Sequence, residues 1–218
     1  MRILKTLLPV IAIFFTGHCL AQPFEDAIKG FQKQDKLNPP PSNAILFVGS
    51  SSFTKWTDFA NYFPGFTIIN RGFGGSTLPD VIFYASEIIF PYHPKQVVIY
   101  CGDNDLASSD AVTADTVFER FKTLFELIRT SLPGENILFV SIKPSPSRIR
   151  LKEKMEEANL LIQTYLSLQQ HTGFVDVYHK MFNPDGSVMK DIFLADDLHM
   201  NAKGYAIWQK AINPYLLK

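Results

Sequence analysis

The stretch QVVIYCGDND (Gln96–Asp105) is apolar without a break from Val97 to Tyr100 and then stops abruptly in small and acidic residues. A strand with one face in water alternates apolar and polar side chains, whereas a strand covered on both faces need not. The same texture recurs in Ala44–Val48 and in Asn136–Ile142, with shorter β-rich runs at Phe66–Ile69 and Gly173–Val177. Between the runs lie helical patterns near Leu78–Ile89, Ala114–Leu132, Ile149–Gln170 and Ala202–Leu217. Five strands joined by helical crossovers predict a three-layer α/β/α sandwich with a five-stranded parallel, flavodoxin-like sheet. In such a sheet the ligand site lies beyond the carboxyl ends of the strands.

Outward from this pattern, the 218 residues suit one α/β domain, and 46% of them are apolar, enough for a proper core. The 21 basic and 21 acidic residues balance, and no basic block stands out, so an electrostatic footprint for nucleic acid is missing. Residues 1–22, MRILKTLLPVIAIFFTGHCLAQ, have the layout of a secretory signal: Arg2 and Lys5, an apolar Leu7–Phe15, and Cys19-Leu20-Ala21 as a small-x-small cleavage site. That apolar stretch is short of the about 20 residues a bilayer requires, so no stable membrane insertion is expected. Cleavage is expected after Ala21, with export to the periplasm or the exterior, and His18 argues against a lipid anchor on Cys19. The exported chain would carry 19 basic and 21 acidic residues and one cysteine, Cys101, which reads as a small buried residue at a strand end. Residues 22–43 then read as an amphipathic helix, with Phe24, Ala27, Ile28 and Phe31 on one face, and a lead-in broken by NPPPSN; the main domain runs from 44 to 218.

Four stretches follow strand ends or close the chain: GSSS (Gly49–Ser52), NRGFGGST (Asn70–Thr77), CGDND (Cys101–Asp105) and ADDLHMNAKGY (Ala195–Tyr205). In a parallel sheet all four fall on one edge, and their convergence says more than any of them alone. Asp196 and His199 are three apart, so on a helical turn a carboxylate could hold one imidazole nitrogen and leave the other free to take a proton from a hydroxyl. Taken singly, an Asp-x-x-His is more often an exposed polar turn. Glycines in the second stretch let main-chain N–H groups face a developing oxyanion, and Asn104 can donate to one from its side chain. Their bland readings are tight turns. Of the three serines, at least one is expected to cap a helix over Phe53–Phe59, and spacing does not say which hydroxyl reacts.

In this order the stretches resemble the SGNH (GDSL-type) family of esterases and lipases, from Ala44 to about Ile212. The family's Gly-Asp-Ser falls on Gly49-Ser50-Ser51, its second glycine on Gly75, its Gly-x-Asn-Asp on Gly102–Asp105, and its Asp-x-x-His on Asp196 and His199. The resemblance implies Ser51 as nucleophile, His199 as general base, Asp196 as its orienting carboxylate, and an oxyanion hole from the Ser51 and Gly75 N–H groups and the Asn104 amide. It implies no metal and no cofactor. Ser50 stands where the family carries Asp, which leaves Ser50 and Ser52 as rival nucleophiles, although Trp56 sits where members often carry an aromatic.

The expected function is a secreted serine esterase acting on short-chain, chiefly acetyl, esters, those of carbohydrates included. A lysophospholipase or lipase-type acylhydrolase, or an inactive glycan-binding relative, is the alternative; no long apolar lid segment favours a lipase. A flavodoxin-like phosphate binder lacks Gly-x-Gly-x-x-Gly, and an α/β-hydrolase would need Gly-x-Ser-x-Gly. Ser147 and Arg148 in KPSPSRIR should border the site, and Arg71 and Asp105 read as an ion pair supporting the loops. The oligomeric state is open.

Overall fold

A computed structural model describes residues 23–218; the proposed export signal, with Cys19 and the cleavage point after Ala21, lies outside them. The elements run α1 (Glu25–Leu37), β1 (Ile45–Gly49), α2 (Ser51–Thr54), α3 (Phe59–Tyr62), β2 (Ile68–Gly72), α4 (Leu78–Phe83), α5 (Ala85–Ile88) and β3 (Gln96–Tyr100). They continue as α6 (Asp103–Ser108), α7 (Ala114–Ser131), β4 (Asn136–Val140), α8 (Lys152–Ser167), β5 (Thr172–Val175) and α9 (Ala202–Ile212). The five strands form one all-parallel sheet in the order β2-β1-β3-β4-β5. Among the described residues no helix is long and apolar enough to cross a membrane.

The unbroken apolar runs have the cause expected of them. Leu46, Val48, Val97, Ile99, Ile137 and Phe139 point into a core shared with α7, α8 and the α4–α5 segment. Their neighbours Ile45, Phe47, Val98, Tyr100, Leu138 and Val140 point into a second core closed by α2 and α9. Successive side chains alternate between two hydrophobic layers, so polar residues in β3 and β4 stand only at the strand starts, Gln96 and Asn136.

Several boundaries differ from those the sequence suggests, each for a local reason. β2 continues through Asn70, Arg71 and Gly72, because it pairs with β1 up to Gly49↔Gly72; the glycine loop is thereby shortened to Phe73–Thr77. The helix expected over Leu78–Ile89 is two short helices meeting at Tyr84. α9 stops at Ile212 and gives way to a 3-10 turn containing Pro214, whose ring cannot continue a helix. The helix expected over Phe53–Phe59 is likewise two pieces, α2 and α3.

Arg71 and Asp105 do not pair with each other. The Arg71 guanidinium projects toward α1, where it meets the Asp35 carboxylate, donates from Nε to Tyr92 Oη at 2.6 Å and lies 5.0 Å from the Phe31 ring centre. Asp105, fully buried in the first turn of α6, accepts from Arg120 at 2.8 Å and from the Leu78 amide at 3.0 Å. Burial raises the Asp105 carboxyl above its ordinary range, and the Arg120 hydrogen bond works against that rise. The two side chains thus serve different jobs, one docking α1 to the sheet edge and one holding α4 and α7 to α6.

β1 ends against its neighbour with no space to spare. Gly49 has φ +136°, and a Cβ there would lie 1.9 Å from the Tyr100 carbonyl oxygen. Gly49→Ala is therefore expected to cost at least about 3 kcal/mol in chemical denaturation, combining the strained dihedral with overpacking against main chain. A second expectation concerns Cys101, which follows β3. Its thiol is fully buried, burial pushes its pKa well above the ordinary thiol value, and its Sγ lies 3.6 Å from the Ser76 carbonyl. Iodoacetamide at pH 8 should leave Cys101 unlabelled in native protein and modify it after denaturation, as read by peptide mapping.

Candidate active site

The carboxyl edge of the sheet gathers the turn after β1, the loop after β2, the first turn of α6 and the loop preceding α9. The Ser50 amide donates to the Tyr100 carbonyl at 3.0 Å, pinning the turn that follows Gly49. Ser50 occupies the cap position of α2, but its hydroxyl makes no capping bond; it is buried, at 1% exposure, with no partner among the described residues. Ser52 is also buried, and its carbonyl accepts from Tyr205 Oη at 3.0 Å. Ser51 alone of the three reaches the surface.

His199 Nε2 lies 3.1 Å from Ser51 Oγ, across 148 residues of chain. His199 Nδ1 lies 2.6 Å from Asp196 Oδ2, and Asp196 Oδ1 accepts from the amides of Leu198 and His199 at 3.0 and 2.9 Å. The hydrogen bond from the His199 side chain, aided by those amides, holds the Asp196 carboxyl well below the usual carboxylate range. The segment is not a helical turn. It is a tight loop closed by the Leu194 amide donating to the His199 carbonyl at 2.8 Å and by an antiparallel bridge between Phe193 and Met200, with Asp197 left-handed at φ +54°. The following Asn201 caps α9 by accepting from Lys203 and Gly204 amides, at 2.9 and 3.4 Å, which fixes where this loop ends.

An Asp-x-x-His spacing does not by itself make such a site. Asp176 and His179 repeat it with a 2.8 Å side-chain contact, yet no hydroxyl meets the other ring nitrogen of His179 among the described residues.

On the opposite side of Ser51 runs the loop after β2. A Cβ on Gly74 would lie 3.9 Å from Ser51 Cβ, so this glycine, not singled out by the sequence pattern, is the one that abuts the serine. Gly75 is left-handed at φ +88°, and the Phe24 ring lies in van der Waals contact with it, 3.7 Å from the position of a Cβ. Neither the Ser51 nor the Gly75 amide donates to a protein acceptor among the described residues. Asn104, in the first turn of α6, donates from Nδ2 to the Ser76 carbonyl at 2.9 Å, which leaves its second N–H uncommitted to that bond. The site therefore presents an imidazole aligned on a hydroxyl, and the loops around it carry N–H groups of Ser51, Gly75 and Asn104 that have no protein acceptor among the described residues.

The loop after β4 completes the edge. Ser147 donates from both its amide and its hydroxyl to the Asp197 carbonyl, at 3.0 and 2.9 Å, and Arg148 donates to Asn104 Oδ1 at 2.9 Å. Lys143, one residue past Ile142, is 1% exposed and lies 3.7 Å from Asp103; burial lowers its pKa, against the opposing pull of that carboxylate. Nothing in its sequence setting distinguished this lysine from a solvated loop residue. Trp56 is a packing residue: it stacks on Tyr205 at 4.8 Å between centroids and ties α2 to α9. Among the described residues no group of three or more His, Cys, Asp or Glu side chains is placed to hold a metal ion.

Residues 46–207 match the model of the GDSL-like lipase/acylhydrolase family. No curated protein is matched by the chain. Solved structures share its fold: a GDSL-like lipase from Bacteroides thetaiotaomicron is 22% identical, with 86% of this chain and 96% of that one covered and a TM-score of 0.73. A carbohydrate esterase of family 3 from Talaromyces cellulolyticus follows at 16% identity, 79% and 95% coverage and a TM-score of 0.62. A catalytic mutant of an acetylxylan esterase from Geobacillus stearothermophilus stands at 14%, 79% and 94%, and 0.63. The match over most of its length and the sheet order agree: this chain belongs to the GDSL-like lipase/acylhydrolase family, and so to the carboxylic ester hydrolases.

Proposed function

We propose that the protein is an exported serine esterase that transfers short acyl groups, acetyl foremost, from an ester to Ser51 and then to water. The observation that carries the reading is the line of contacts from Ser51 Oγ through the His199 ring to Asp196, at 3.1 and 2.6 Å. In this reading His199 Nε2 takes the Ser51 proton as Oγ attacks the ester carbonyl, while Nδ1–H stays donated to an ionised Asp196. The Ser51 and Gly75 amides and the free N–H of Asn104 meet the oxyanion. His199 then returns the proton to the leaving alcohol, and a water, deprotonated by the same ring, releases the acid. Because Asp196 is held below the ordinary carboxylate range, it stays ionised as pH falls through the region where a free carboxylate would be neutralised.

The preference for short acyl groups rests on the absence, among the described residues, of a long apolar lid over Ser51. An alcohol of carbohydrate type is supported by the polar rim that Ser147 and Asp197 give the site, and by the names of two fold neighbours, a carbohydrate esterase and an acetylxylan esterase. Export is part of the same proposal and rests on residues 1–21.

Protein beginning at Gln22 should hydrolyse nitrophenyl acetate faster than the octanoate and release acetate from acetylated xylan. Ser51→Ala should lower kcat by at least about a thousandfold, whereas Ser50→Ala and Ser52→Ala, which change buried hydroxyls, should retain turnover. Activity that survives Ser51→Ala but not Ser50→Ala would refute the nucleophile. Asp196→Asn should reduce kcat by about a hundred- to ten-thousandfold, since an amide no longer fixes the His199 tautomer. Its thermal midpoint should shift little, as the side chain is 47% exposed. A kcat within a fewfold of the parent would remove Asp196 from the mechanism.

A further inference from the structure

Asn104 is a symmetric-looking side chain asked to do an asymmetric job. Turned by 180° about its last bond, it would aim its oxygen at the place where negative charge develops. Two contacts decide the orientation. The Ser76 carbonyl, which can only accept, takes a proton from Nδ2 at 2.9 Å; the Arg148 guanidinium, which can only donate, gives one to Oδ1 at 2.9 Å. A flipped amide would set oxygen against oxygen and NH2 against guanidinium.

Resting on the esterase reading above, we propose that Arg148 is a positioning residue for this reaction: it holds the Asn104 amide with an N–H toward the oxyanion, and acts on the substrate only through Asn104.

Arg148 is itself braced for this. Its Nη1 lies 3.0 Å from Asp103 Oδ2, the carboxylate immediately before Asn104 in the chain, and its side chain is 17% exposed. Lys143 approaches the same oxygen at 3.7 Å. Two basic side chains thus meet at one carboxylate oxygen. The backbone is braced as well. Arg148 breaks the helical geometry of the turn Pro146–Leu151, at φ −117° and ψ 20°, and its amide donates to the Ser145 carbonyl at 3.1 Å. Its neighbour Ser147 is bound to the Asp197 carbonyl. One short turn therefore grips the Asn104 side of the site with Arg148 and the Asp196–His199 loop with Ser147. A purely structural ion pair would need only the contact to Asp103. The second arm of the guanidinium, spent on Asn104, is what points to the reaction.

Arg148→Lys separates these roles, because an ammonium can keep the Asp103 pair but cannot hold both partners in a fork. In a double-mutant cycle with Asn104→Ala, Arg148→Lys and Arg148→Met should each lower kcat for nitrophenyl acetate by about ten- to a hundredfold, no more than loss of an oxyanion donor costs. KM should change little. In the Asn104→Ala background the same substitutions should change kcat by less than about twofold. An equal loss in both backgrounds, or none in either, overturns the proposal. A nitrogen–proton NMR spectrum of the side-chain amides reads the same contact without turnover. The Asn104 pair, identified by its disappearance in Asn104→Ala, should be protected from solvent exchange in the parent and lose protection in Arg148→Lys. Unchanged protection overturns the proposal even if the protein hydrolyses no ester tested; an inactive parent with protection lost in Arg148→Lys would refute the esterase reading and leave the amide contact standing. Should Arg148→Met fail to fold, Arg148→Lys carries both measurements.

Discussion

The close approach of β1 to β3 at Gly49 governs the rest of the site. A side chain at this position would run into the Tyr100 carbonyl, so the strand must end in a residue without one, at a φ that other residues avoid. That dihedral turns the chain sharply, the Ser50 amide is caught by the same carbonyl, and Ser51 becomes the first residue of α2. A hydroxyl placed there is held by main chain rather than by a mobile loop, with the amide ends of a short helix behind it. Gly72 extends the constraint, because a Cβ there would come within 2.7 Å of the Phe53 side chain. Two strand-terminal glycines thus let α2 settle directly onto the sheet edge.

Against this fixed turn, the other groups are brought in by side chains bonded across loops rather than by regular structure. The Asp196–His199 loop is shaped by its own amides and by Asn201 at the start of α9, and Ser147 clasps it from the far side. The loop after β2 is held by Ser76, whose hydroxyl reaches the Gly49 carbonyl at 3.2 Å and whose own carbonyl accepts from Asn104. The same few main-chain groups therefore serve several of the loops, and a change in any one of them would be felt at the serine. α1, which lies before the family-matched region, joins this arrangement by placing Phe24 against Gly75.

Charge is handled unevenly across the molecule. Arg71, Asp105, Asp103 and Lys143 are all withdrawn from water, and each has an opposite partner. Leaving a buried charge alone would cost far more than such pairing returns, so these groups form pairs or threes rather than standing singly. Asp196, by contrast, keeps half its surface in solvent and gains its stability as an anion from hydrogen bonds. The carboxylate beside His199 is therefore stabilised by hydrogen-bond geometry, whereas the cluster around Asp103 is stabilised by charge pairing.

The sequence alone carried the layered sheet, because burial on both faces leaves its mark on every residue of Leu46–Val48, Val97–Tyr100 and Ile137–Val140. It also carried the stretches that hold Ser51, Gly75, Asn104, Asp196 and His199 as ones a parallel sheet would bring to one edge, while the choice of Ser51 and Gly75 within them came from the family resemblance. It could not decide between two Asp-x-x-His spacings on physics alone, nor among three adjacent serines. Those choices depend on which imidazole faces which hydroxyl and on which hydroxyls are buried, relations between segments as much as 148 residues apart. For the same reason Arg71 and Asp105, adjacent to the same edge in sequence, have different partners, and Lys143 and Arg148 acquire their importance from Asp103 and Asn104. Periodicity records the side of an element on which a residue lies; only the packed structure determines what meets it there.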